Sequence, residues 1–282
     1  MKQKNNKHKP LAAAIIIIVI VVLFFIVLFL TLTFHAKNSS FAVLNALHGK
    51  NYKKAEKYET VVIDPDNFSS EELQELKSSG TLCYAYINVG SLETFRDYYD
   101  DFKTLEKKKY DGFDDEFWVD VTDASWQQHI SDLCDECINA GYDGFFLDNI
   151  DVYDELGEDE ETFTSLSNIL LIVKSTGFPV IINGGKDFVK AYIKSGSPAY
   201  LICDGICQES VYSSYDADTK KYGRNDAAST KEYLKYLDAR KKDGLEIYLI
   251  EYTKNPLIKC EAMFKAVNSK WNIYVADSIE LK

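Results

Sequence analysis

The sequence predicts an α/β protein: a (β/α)8 TIM-type barrel preceded by a single N-terminal transmembrane helix. Three observations lead there. Short apolar runs recur about every 30 residues with a helical stretch between them, as parallel strands covered by helices do. Each run ends in an acidic or amide residue, and in a barrel the C-terminal strand ends gather on the one face where chemistry is done. Residues 11–34 are apolar almost throughout.

The N-terminal elements come first. Residues 1–10 carry Lys2, Lys4, Lys7 and Lys9 and no acid. The 11–34 span is long enough to cross a hydrocarbon layer of about 30 Å, which takes roughly 20 helical residues. Lysines ahead of it place the N-terminus in the cytoplasm. A cleaved signal peptide is the competing reading, but its apolar region is usually about 7–15 residues and closed by small residues. This span is longer, and no small-x-small site closes it. The expected organisation is a cytoplasmic basic stub at 1–10, a transmembrane signal anchor at 11–34, a linker at 35–40 and an extracellular barrel domain at 41–282.

Within the domain, Phe41-Ala42-Val43-Leu44 reads as the first strand. The next runs are Val61-Val62-Ile63-Asp64, Cys83 to Asn88, Gly144 to Asn149 and Val180 to Asn183, then Gly205 to Glu209, Ile247 to Tyr252 and Ile273 to Asp277. Phe117 to Val121 makes a ninth candidate for eight places. It follows a charged and aromatic stretch, 93–116, and reads as a short strand inside an elaborated loop. Ser69 with Glu72 fits a capping box, and the helix it opens stops near Gly80. Thr122 or Asp123 opens a helix closed by Gly141, and a stripe from Phe163 to Val173 ends at Gly177. Ser229 with Glu232 caps a helix running to Gly244, and Asn255-Pro256 opens the last one. An open doubly wound sheet is the alternative, but no Gly-rich phosphate turn follows the first strand.

The chain has a net charge of −12, and all 44 acidic residues lie beyond Ser40. Such a domain is a poor partner for nucleic acid, whose phosphates need a basic footprint. It is compatible with a cationic ligand and equally with ordinary solubility. Cys83, Cys203 and Cys207 lie in or beside apolar strand runs, and Cys134 and Cys137 share a helical stripe with Trp126, Ile130, Leu133 and Ile138. These read as buried thiols, because free Cys behaves as a small hydrophobe. With four His there is no HExxH site, and no Gly-x-Ser-x-Gly elbow is present. No metal or cofactor is assigned. A Mg²⁺ or Mn²⁺ site from Asp148, Asp151 and Glu209 is the conceivable exception.

Asp148 and Glu209 each end an apolar strand. Two carboxylates presented from different strands at one barrel mouth are what glycoside cleavage needs: one attacks or activates water, the other protonates the leaving oxygen. The alternative is that Asp148 caps the next helix and Glu209 makes an ion pair. Asp64, Asn88, Asp120, Asn149, Asp151, Asn183, Gln208 and Glu251 are expected around the pair, with Asp277 at the rim. Tyr86, Tyr212, Trp118 and Tyr252 offer faces for sugar rings. Gly184-Gly185 admits a close backbone approach, and the loop from Tyr212 to Ser229 reads as a lid or a long surface loop.

At these residues the chain resembles a known family. Gly144-Phe145-Phe146-Leu147-Asp148-Asn149-Ile150-Asp151 is similar to the signature of glycoside hydrolase family 114, the endo-α-1,4-polygalactosaminidases. Val61 to Pro65, Tyr86 to Gly90, Trp118 to Val121, Ile182 to Gly185, Gln208-Glu209 and Glu251-Tyr252 match other parts in the same order, over roughly residues 41–279. The resemblance implies a (β/α)8 barrel and retaining hydrolysis of α-1,4-linked galactosamine polymers, with Asp148 as nucleophile and Glu209 as acid/base. A partly deacetylated polymer of that kind is cationic, which suits an acidic domain. The expected partners are thus an amino-sugar polysaccharide and, through the N-terminal helix, the membrane. A cell-surface barrel that binds glycan without turnover is the other reading.

Overall fold

The computed structural model describes residues 17–25, 41–217 and 219–281. Residues 17–25 are helical, and their apolar side chains are about half exposed or more. The remainder of the 11–34 span, the 1–10 stub and the 35–40 linker lie outside the described residues. Among the described residues no helix is long and apolar enough to cross a membrane.

From Phe41 onward the chain forms an eight-stranded parallel sheet. Its strands are β1 (Phe41–Val43), β2 (Thr60–Ile63), β3 (Leu82–Asn88), β7 (Gly144–Asp148), β8 (Val180–Asn183), β9 (Gly205–Glu209), β12 (Glu246–Tyr252) and β13 (Asn272–Ala276). They pair in that order, each parallel to its neighbour. β13 lies beside β1, so the sheet nearly closes into a barrel.

Side chains on a strand alternate between faces, and the two faces meet different surroundings. One phase fills the barrel: Phe41, Val43, Val62, Tyr84, Tyr86, Phe146, Ile181, Cys207, Ile250, Tyr252 and Ala276 pack together inside. The other phase, including Val61, Ile63, Cys83, Ala85, Ile87, Leu147, Ile182, Ile206, Ile247 and Leu249, packs outward in a larger cluster with the helices. Both faces are covered, which is why the strands read as unbroken apolar runs rather than alternating ones.

The helices follow their end signals with one exception. Ser69 and Glu72 form a reciprocal capping box at helix Ser70–Ser78. Asp123 caps helix Ala124–Ala140, and Gly141 closes it in the left-handed conformation. Asn255 caps helix Pro256–Ser269. The exception is helix Ala227–Lys242. Its N-cap is Asp226, which accepts from the Ala228 and Ser229 N–H groups, so Ser229 lies inside the first turn. A carboxylate and a hydroxyl satisfy the same orphan donors, and the carboxylate also suits the positive helix end.

Two insertions stand outside the barrel sheet. After β3 the chain builds an antiparallel sheet from β4 (Ser91–Glu93), β5 (Glu106–Lys109) and β6 (Glu116–Val119), in the order β4-β6-β5. The ninth strand candidate is thus β6, in an insertion as expected. After β9 comes the hairpin β10 (Ser213–Asp216) and β11 (Lys221–Arg224). Trp126, fully buried, donates from its indole N–H to the Val89 carbonyl at 2.9 Å and ties its helix to the end of β3. Cys83, Cys134, Cys137, Cys203 and Cys207 are buried free thiols; Cys260 is exposed on the last helix.

Gly90 packs where the insertion leaves β3. A Cβ there would overlap the Asn149 carbonyl and lie 2.9 Å from the Val152 Cβ. Gly90→Ala is expected to cost ~2–4 kcal/mol of stability, because the neighbouring atoms are backbone and a β-branched side chain that cannot yield. Urea denaturation of the barrel domain checks this; a loss below ~0.5 kcal/mol would contradict the packing.

Candidate active site

β7, β8 and β9 are adjacent, and their last residues are Asp148, Asn183 and Glu209. All three share the inward phase with Phe146, Ile181 and Cys207. The barrel therefore delivers two carboxylates with one carboxamide between them at the floor of a cleft of about 610 Å³.

The amide holds the pair. Asn183 Nδ2 donates to Asp148 Oδ1 at 2.8 Å and to Glu209 Oε1 at 2.7 Å. Those two oxygens can lie no further apart than the sum of these bonds, so their spacing stays within the about 5–5.5 Å used in double displacement. Two tyrosines take the outer oxygens. Tyr86 OH donates to Asp148 Oδ2 at 2.7 Å, and Tyr252 OH donates to Glu209 Oε2 at 2.6 Å. Asp148 gains a third donor, the Asn149 N–H at 2.8 Å.

The donor count separates the two acids. Burial pushes Asp148 above the ordinary aspartate value, while Tyr86, Asn183 and the Asn149 N–H draw it back. Glu209 is pushed up to about 7, first by burial and then by the charge of Asp148, with Tyr252 and Asn183 opposing. Asp148 is thus the member that ionises first, and its charge keeps the proton on Glu209.

Asn149 anchors the wall beside this pair. Its φ is 61°, in the left-handed region that Asn tolerates better than most residues. Its Nδ2 donates to Asn88 Oδ1, Ser91 Oγ and Glu116 Oε1 at 3.0, 2.8 and 3.0 Å. Its Oδ1 accepts from Tyr110 OH at 3.1 Å. Glu116 also accepts from Asn88 and Ser91, and burial pushes its carboxyl upward. Asp151 lines the cleft and accepts from the Gly185 N–H at 2.8 Å. Burial pushes it up to about 6. Gly184 and Gly185 have φ of 72° and 67°, and a Cβ on Gly184 would overlap the Asp151 carboxylate. The Gly-Gly pair is therefore a close approach, as the sequence suggested.

Of the expected site residues, Asp64, Tyr86, Asn149, Asp151, Asn183, Gln208 and Tyr252 line the cleft with Asp148 and Glu209. Asp64 is also held by the buried Arg96 at 2.9 Å. The rest are placed elsewhere, which corrects the expectation that they ring the pair. Glu251 has the outward phase of Ile247 and Leu249; fully buried, it accepts from the Tyr212 and Ser213 N–H groups and from Ser213 Oγ. Tyr212 is buried in the outer cluster. Asn88 sits behind Asn149 in the network above. Asp120 follows β6, not a barrel strand; it accepts from Thr122 and pairs with Lys107 at 2.5 Å. Trp118 is buried under Tyr110, and Asp277 is exposed outside the cleft. Among the described residues no three His, Cys, Asp or Glu side chains are grouped to hold a metal ion, so Asp148, Asp151 and Glu209 do not converge as ligands.

Sequence reasoning missed Glu93, Phe95, Tyr110, Phe113, Asp115 and Glu116, all cleft residues from the first insertion. Their signal was the acidic and aromatic character of 93–116. It also missed Ser210, Tyr215 and Ile279 to Leu281.

Comparison with known proteins identifies the family and the fold. The model of glycoside hydrolase family GH114 matches residues 31–278. The glycoside hydrolase domain of PelA from Pseudomonas aeruginosa superposes with a TM-score of 0.71 at 19% identity, covering 86% of this chain and 96% of that one. Aspergillus fumigatus Ega3, solved in complex with galactosamine, gives a TM-score of 0.66 at 15% identity, covering 87% and 93%. The protein MJ1477 of Methanocaldococcus jannaschii is 24% identical over 201 residues, 66% of this chain; the match spans 56% of that protein's length. The chain belongs to glycoside hydrolase family GH114 and is a glycoside hydrolase.

Asn183→Ala removes one donor from each buried carboxylate, and lost donors disfavour the ionised forms. Both groups are expected to titrate at higher pH than in the wild type. NMR titration of carboxyl carbons checks this; unchanged titration would show that the shared amide does not hold the pair.

Proposed function

We propose that this family member is a membrane-anchored, extracellular hydrolase of α-1,4-linked galactosamine-containing polysaccharide, working with retention of configuration. The observation that carries the reading is the Asn183 amide shared between Asp148 and Glu209, which holds the two bridged oxygens within the about 5–5.5 Å spacing of retaining enzymes. The substrate class is supported by the acidic cleft, lined by Asp64, Glu93, Asp115, Glu116 and Asp151, and by the galactosamine bound to Ega3.

In the first step Asp148 attacks the anomeric carbon. The glycosidic C–O bond breaks, and Glu209 gives its proton to the departing oxygen. In the second step Glu209 takes a proton from water. That water attacks the same carbon and releases Asp148. Tyr86, Asn183 and the Asn149 N–H hold Asp148 for attack, and Tyr252 aims Glu209. Asp151 and Gln208 stand beside the pair to meet sugar hydroxyl or amine donors.

NMR of the first-formed product anomer tests the scheme on galactosamine polymer. Retention is expected; inversion would remove the assigned roles. Asp148→Asn and Glu209→Gln are expected to lower kcat ~10³-fold or more with the fold intact. The pH dependence has a defined sign. Glu209 must enter protonated, so kcat/KM falls on the alkaline side as pH passes about 7. Asp148 must be ionised, so the rate also falls on the acid side. A profile still rising well above that pH would contradict the assignment. Wild-type inertness on every amino-sugar polymer would leave a glycan-binding barrel.

The anchor rests on the 11–34 sequence and on the exposure of Ile17 to Phe25, apolar side chains that water disfavours. Protease added to intact protoplasts is expected to digest the barrel domain. Full protection would overturn export, and quantitative release of a shortened soluble form would replace the anchor with a cleaved signal.

A further inference from the structure

The two insertions of the barrel reach the same cleft, and their tips touch. The β5–β6 turn carries Tyr110, Gly112 and Phe113; the β10–β11 hairpin carries Tyr215 and Ala217. A Cβ built on Gly112 would lie 2.8 Å from the Ala217 Cβ. Phe113 lines the cleft, yet it is 42% exposed. It rests edge-on against Tyr110, with centroids 5.7 Å apart, and Tyr110 stacks on the buried Trp118 at 4.5 Å. The Tyr110 hydroxyl is fixed on Asn149. The Phe113 ring thus stands on an aromatic column that runs into the insertion's packed base. Tyr215, half-buried, also lines the cleft and packs against Tyr222 at 5.0 Å.

The floor of the cleft is polar: carboxylates, amides and tyrosine hydroxyls. A sugar placed for cleavage is gripped there by hydrogen bonds. The more exposed aromatic rings at the cleft, Phe95, Phe113 and Tyr215, come from the insertions, whereas Tyr86 and Tyr252 on the barrel strands are buried. Exposed apolar rings at a functional cleft mark a partner with apolar faces. The C–H faces of pyranose rings supply them, and the cleft is continuous with the catalytic floor, so the occupant is the same polymer chain further along.

We propose that Phe113 and Tyr215, presented by two touching hairpin tips, are the platforms on which sugar residues beyond the cleaved linkage stack, so that these tips set the preference for chain length. This rests on the hydrolase reading above.

The test measures kcat/KM on a ladder of galactosamine oligomers for the wild type, Phe113→Ala, Phe113→Leu, Phe113→Trp and Tyr215→Ala. The ratio of kcat/KM for long over short oligomers is expected to fall about ten-fold in the Ala and Leu variants and to recover with Trp, which restores a ring face. Leu keeps apolar volume without a face, so it separates stacking from packing should Ala unfold the turn. Equal losses at every length, or no loss, would overturn the proposal while leaving the hydrolase reading in place. A wild type inert on every oligomer would overturn both.

Discussion

The site depends on one neutral donor group between two buried acids. Burial alone raises both Asp148 and Glu209, and two unscreened charges at that spacing repel. The Asn183 amide offers one N–H to each without adding charge. A Lys or Arg in its place would draw both acids down and remove the proton from Glu209. An Asp would add a third negative charge. The amide therefore fixes the distance and preserves the split in protonation, and few other side chains can do both. Its placement requires three neighbouring parallel strands whose terminal residues all fall in the inward phase, with β9 running two residues beyond the partner of Asn183. The barrel provides that from β7, β8 and β9.

The second constraint is the backbone just past β7. Asn149 adopts a left-handed conformation, and in that pose its N–H reaches Asp148 while its side chain reaches the first insertion. The approach is possible because Gly90 has no Cβ to meet the Asn149 carbonyl. Trp126 fixes the neighbouring Val89 carbonyl, and Ser91 and Glu116 complete the wall. The insertion is thus joined through hydrogen bonds to the turn that follows Asp148. It is part of the site's support, not a surface elaboration.

Most of the barrel was legible in the sequence because strands covered on both faces leave unbroken apolar runs, and helix ends leave caps. The catalytic candidates were legible because a charged residue closing such a run has few structural reasons to be there. Glu251 was misplaced for a reason the sequence did contain: it shares phase with Ile247 and Leu249, while Tyr252 shares phase with Ile250. Period-two bookkeeping would have turned it outward. Asp120 was misplaced although its strand was read as part of an inserted loop: β6 pairs antiparallel with β4 and β5, and Asp120 turns to Thr122 and Lys107. Glu116 and Tyr110 stood only in the general acidic and aromatic character of 93–116, which does not single them out. Their roles come from long-range contacts with Asn149, 33 and 39 residues away, which no periodicity records.

The floor of the cleft also carries an unspent capacity. Asn183 commits its Nδ2 to the carboxylates, so its orientation is forced and its Oδ1 is left buried without a protein partner. Gln208 Oε1 is in the same condition. Each such carbonyl costs about 1–3 kcal/mol unless something donates to it. Both belong to residues that line the cleft beside the carboxylate pair, but the two oxygens themselves are buried. The acceptors that a ligand meets on this floor are the carboxylates, to which the tyrosine hydroxyls already donate hydrogen bonds. A ligand that suits this floor brings donors, hydroxyls and amines, and has little use for acceptors of its own. Under the proposed reading, the amide that sets the carboxylate spacing also leaves those carboxylates as the acceptors a sugar's hydroxyls and amines would meet.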